Sequence, residues 1–172
     1  MTMLLLGAAL SFVQIQAQPS GASFRDEEES LLYYLPDGNH VFDPAVPTPY
    51  QVLGFNPGQR FVDWGDVTLY MQSLSQSSPK VALKTFGKTY LGRTYMQVCI
   101  SSESNIRDLE AIRQRHLELC KAGSSVKAAD EPVVVDLMGS IHGNEATGVA
   151  ASLIQAYYFA ASQDPDILKM LE

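Results

Sequence analysis

The apolar positions of the chain change period along its length, and each change marks an element. Over 63–76, Val67, Tyr70, Met71 and Leu74 recur at i, i+3, i+4 and i+7, the spacing of one helical face. Asp66 is placed to cap this helix, Trp64 to pack at its start, and Ser77-Ser78-Pro79 to end it. Two alternating runs follow. Val81, Leu83 and Thr85 alternate with Ala82, Lys84 and Phe86, and over 95–101 Met96, Val98 and Ile100 share a face. Joined through Gly87 to Gly92, they predict a hairpin. Over 105–121 the stripe Ile106, Leu109, Ile112, Leu117 and Cys120 predicts a second helix. Arg107, Glu110, Arg113 and Glu118 face water, and Lys121 and Gly123 close it.

The period then shortens again. Val133-Val134-Val135-Asp136-Leu137-Met138 is a short, Val-rich run bounded by Pro132 and Gly139, which suits a buried strand. Over 146–162, Val149, Ser152, Leu153, Ala156, Tyr157 and Ala160 return to helical spacing, and 164–172 opens a further helix. Helix, strand, strand, helix, strand, helix predicts an α/β fold, a mixed sheet flanked by helices.

The first 60 residues follow another pattern. Met3 to Leu10, with Phe12, Val13 and Ile15, form an apolar run too short to span a bilayer. Residues 1–18 read as a signal peptide with Ala17 near a cleavage point, although no Lys or Arg precedes Arg25. A buried N-terminal helix is the alternative. The signal-peptide reading implies a secreted or periplasmic protein with no stable membrane span. Residues 19–60 read as an extension or linker. Asp26, Glu27, Glu28 and Glu29 form a solvated run, and Pro36-Asp37-Gly38-Asn39 marks a turn. Pro44, Pro47, Pro49 and Pro57 leave no long element, so the segment would lie over a domain surface, anchored by Phe42, Tyr50, Leu53 and Phe55.

Composition narrows the function classes. With 172 residues, 46% of them hydrophobic, the chain can build one core. A net charge of −7 argues against nucleic-acid partners, which call for a basic patch. Export would permit a disulfide, but Cys99 and Cys120 alone leave pairing open, and no Cys-x-x-Cys spacing exists. Arg93 reads as an exposed charge at a strand start and His40 as a loop histidine. His116 lies mid-helix, far in sequence from the remaining chemistry.

That chemistry sits between the last predicted strand and its helix. His142 falls where the strand ends and Glu145 in the first helical turn. An imidazole and a carboxylate are two of the ligand types zinc accepts, and three positions apart across a turn both can point at one spot. Gly143 allows a tight turn and Asn144 can hold it through local backbone. A carboxylate near a helix N-terminus is also favourable without any metal. On residue types alone, metal site and satisfied turn both stand.

The longer string bears on that choice. A strand, then Gly139-Ser140-Ile141-His142-Gly143-Asn144-Glu145-Ala146-Thr147-Gly148, then an Ala/Leu/Tyr helix resembles the first zinc-ligand motif of the zinc carboxypeptidases, the M14 metallocarboxypeptidase family. Upstream, Ser78-Pro79-Lys80-Val81, Gly87-Lys88-Thr89-Tyr90-Leu91-Gly92-Arg93 and Ile100-Ser101-Ser102 look like the hairpin that leads this fold, so the resemblance covers 61–172. It implies a zinc carboxypeptidase-like mixed sheet, truncated at the C-terminal side. It also implies His142 and Glu145 as the first two ligands of one Zn2+ and a peptide or protein C-terminus as substrate. In the family the third ligand, a Glu general base and Arg residues that grip the substrate carboxylate come later. They are expected beyond Glu172, with no catalytic residue inside the chain and an inactive fragment as the consequence. Some members carry Arg two positions after the first ligand; Asn144 stands there here, which leaves substrate preference open. Two other readings share the motif: a zinc-dependent N-acyl-amino-acid deacylase resembling aspartoacylase and succinylglutamate desuccinylase, and a non-catalytic peptide-binding relative. The deacylases place the motif near the chain start, whereas here about 140 residues precede it.

Overall fold

The computed structural model describes residues 31–172. The expected signal peptide at 1–18 and the acidic run at 26–29 lie outside the described residues.

Helix α1 (Pro49–Leu53) is short. Thr48 and Gln51 form a reciprocal capping box, Pro49 occupies the first turn, and Gly54 closes the helix with φ 75°. Helix α2 (Trp64–Ser77) follows. Its cap is Asp63 rather than the expected Asp66. The Asp63 carboxylate accepts from the Asp66 N–H at 2.9 Å, and the Asp66 carboxylate accepts from the Asp63 N–H at 3.1 Å. Two carboxylates three residues apart satisfy each other's main-chain donors, so the helix begins a turn earlier than the apolar pattern. Val67, Tyr70, Met71 and Leu74 form its buried face, and Trp64 packs half-buried against the core.

Strands β1 (Val81–Lys88) and β2 (Thr94–Ile100) pair antiparallel, with Val81 opposite Ile100. The register shifts between Thr85 and Gly87, leaving Phe86 as a bulge. Met96, Val98 and Ile100 lie against the core, as their alternation predicts.

The single helix expected over 105–121 is two. Helix α3 (Glu103–Arg107) is capped by Ser102, and α4 (Leu109–Leu119) starts after Asp108, whose φ −94° and ψ 10° interrupt the helical path. Of the predicted stripe, only Ile112 is buried; Leu117 and Cys120 are exposed. Helix α4 is a surface element fastened by charge. Arg113 grips Glu110 at 2.6 Å, Lys84 lies 3.7 Å from Glu110, and Arg115 pairs with Glu131 at 2.6 Å.

A second correction concerns 133–138, which forms no strand. Val133 is 88% exposed and Met138 78%. Among the described residues the sheet has only β1 and β2, and nothing pairs with this run. A strand buried on both faces exists only when neighbours take its N–H and C=O groups and cover its side chains. The Val-rich composition states a preference that the surroundings here do not fulfil.

Helix α5 (Ala146–Ala161) and α6 (Pro165–Met170), capped by Asp164, complete the described chain. The core forms where α2 meets α5: Tyr70, Leu74, Leu153 and Ala160 are fully buried. Residues 31–60 contribute directly to it. Leu31, Val46 and Phe55 belong to the same cluster. Phe42 bridges to Ser162, with the Asp43 N–H donating to the Ala161 carbonyl at 2.8 Å and the Gln163 N–H to the Val41 carbonyl at 2.9 Å. Among the described residues no helix is long and apolar enough to cross a membrane.

Candidate metal centre

The turn before α5 is built by its neighbours. A Cβ added to Gly139 would overlap the Ser152 hydroxyl, and one added to Gly148 would overlap the Gly139 carbonyl oxygen. The two glycines therefore let the segment entering the turn lie directly on the first turns of α5, closer than any side chain would allow. Gly143, the residue expected to need this freedom, has open space around it and no left-handed φ.

Inside the turn one hydroxyl holds the backbone. Ser140 Oγ donates to the His142 carbonyl at 2.9 Å, with the Glu145 carbonyl 3.3 Å away as a second acceptor. The Glu145 N–H donates to the His142 carbonyl at 3.1 Å. Ser140 thus takes the part the sequence reading gave to Asn144, whose side chain makes no hydrogen bond among the described residues. The serine could have been found: hydroxyl residues at turns bond to backbone two positions away.

Glu145 stands at the N-cap of α5, yet its side chain makes no capping bond. His142 and Glu145 are both exposed, and neither side chain is engaged by another described residue. At the N-cap the carboxylate lies at the positive end of the α5 dipole, as the satisfied-turn reading expects, with its oxygens open to solvent.

The other metal-ligand types lie elsewhere. His40 Nε2 approaches the Pro36 carbonyl at 2.7 Å, and its ring stacks on Phe42 at 5.7 Å. His116 Nε2 lies 3.0 Å from the Pro132 carbonyl. Cys99 and Cys120 are free thiols, and burial pushes the Cys99 thiol up. Among the described residues no three His, Cys, Asp or Glu side chains converge. The donor set therefore fits zinc as half a site: one imidazole and one carboxylate, where a catalytic site takes three protein ligands and an open position. Beside the turn, a mostly apolar cleft of about 460 Å³ lies between α5 and the residues Tyr34, Pro57, Gly58 and Phe61, with Ala146 and Thr147 in its lining.

The family model described as zinc carboxypeptidase matches residues 67–172, more than half of the chain. No curated protein and no solved structure gives a match.

Proposed function

The chain belongs to the zinc carboxypeptidase family, and on that premise we propose that His142 and Glu145 are two ligands of one zinc ion in an enzyme that hydrolyses C-terminal peptide bonds. The observation that carries the proposal is the pairing itself. Both residues lie in one short turn, both are exposed, and neither side chain is bonded to another described residue.

Each residue has a definable part. His142 would offer a neutral imidazole nitrogen and Glu145 an ionised carboxylate, a ligand pair of one net negative charge. Protonating either removes a lone pair from the site, so metal binding should weaken in acid. Bound zinc would polarise the scissile carbonyl and lower the pKa of its water. The substrate class is a peptide or protein with a free C-terminus, acted on outside the cytoplasm if residues 1–18 direct export. Two donors alone make a weak site, so the 172-residue chain by itself should bind zinc loosely and hydrolyse no peptide. The family match favours this reading over the N-acyl-amino-acid deacylase.

Equilibrium dialysis against a series of zinc concentrations up to saturation tests the proposal. The wild-type chain should retain zinc that His142→Ala loses. Equal retention by both would overturn it.

A further inference from the structure

We infer that Ser140 is the positioning residue of the metal turn, acting through its hydroxyl on the backbone of both zinc-binding candidates at once. The inference rests on the zinc reading of His142 and Glu145.

The geometry is that of a closed loop. At its base, Gly139 lies against Gly148 and the Ser152 hydroxyl, which fixes where the turn begins against α5. At its centre, Ser140 Oγ reaches the carbonyl of His142 at 2.9 Å and that of Glu145 at 3.3 Å. A serine hydroxyl has a single proton, so the two carbonyls share it in a three-centre bond. Through that one proton the main-chain positions of both candidates are referred to a common atom. The Glu145 N–H to the His142 carbonyl, at 3.1 Å, closes the turn from the other side.

The hydroxyl matters because the ligands have little else to hold them. His142, Gly143, Asn144 and Glu145 are all exposed, and the preceding run, 133–138, forms no strand that would pin the turn from behind. A ligand that must be ordered at the moment of binding costs conformational entropy. Partners that orient metal ligands typically change affinity about 10- to 100-fold when removed. Ser140 makes no contact with the metal in this scheme and leaves the buried faces of α2 and α5 untouched.

Competition between the full chain and a chromogenic zinc chelator, for wild type, Ser140→Ala and Ser140→Thr, tests this. Ser140→Ala should weaken zinc binding by about tenfold or more, with unchanged far-ultraviolet circular dichroism. Ser140→Thr, which restores the hydroxyl, should recover most of the loss. Wild-type affinity in Ser140→Ala, or a loss that Ser140→Thr does not recover, overturns the positioning role while leaving the zinc reading intact. A wild-type chain that takes up no zinc overturns both.

Discussion

Gly139 and Gly148 touch backbone to backbone: the space a Cβ on Gly148 would occupy is filled by the Gly139 carbonyl. This contact seats the His142–Glu145 turn on α5, and it separates two glycines of one motif that look alike in sequence. Gly148→Ala must push the turn off the helix, so it should destabilise the chain by about 1–3 kcal/mol, the usual range for forced overpacking. Gly143→Ala meets open space and should stay within about 0.5 kcal/mol of wild type. Urea unfolding of the two variants decides it; equal midpoints would contradict the packing described.

Leu153 is fully buried where α5 faces α2. Leu153→Ala should cost about 2–5 kcal/mol through lost burial and the cavity left behind. Leu117, the residue that the apolar stripe of α4 placed in the core, is exposed, and Leu117→Ala should cost under about 0.5 kcal/mol. Thermal or urea unfolding of both variants measures the contrast.

Acid should loosen α4. The bidentate Arg113 guanidinium, with Gln114, holds the Glu110 carboxyl down to about 2 from an ordinary value of 4.5. A carboxyl whose pKa is depressed by folding stabilises fully above its unfolded value, and that contribution disappears as pH falls through the folded value. Helicity should therefore decline between about pH 4.5 and about 2. Arg113→Ala should flatten the decline, because the Glu110 carboxyl then keeps little of its depression. Both groups are solvent-exposed, so added salt should shrink the difference. Circular dichroism against pH, at low and high salt, reads all three effects.

What was legible in the sequence is what local pattern determines. The face of α2 and the β1–β2 hairpin depend on residues near each other in the chain, and Val67, Tyr70, Met71 and Leu74 are buried as their spacing requires. The cap of α2 was misplaced because Asp63 and Asp66 serve the same helix start jointly, and the apolar pattern marks only the second. The split at Asp108 and the exposure of Leu117 and Cys120 show amphipathic spacing that runs past the one buried contact of α4, Ile112. The run 133–138 failed for a related reason: a buried strand is defined by its neighbours, and composition alone cannot supply them. At the site, His142 and Glu145 were visible as residue types at a telling spacing. The Gly139–Gly148 contact and the two-carbonyl reach of Ser140 arise only once the turn folds back onto α5.

The central claim is that zinc on this chain is held by an imidazole and a carboxylate from one turn. X-ray absorption at the zinc edge of the loaded chain tests it most directly. The account predicts a first shell of nitrogen and oxygen at about 2.0–2.2 Å, with the imidazole outer-shell signal lost in His142→Ala. A sulfur scatterer at about 2.3 Å, placing the metal on Cys99 or Cys120, or a spectrum unchanged by His142→Ala, would contradict it.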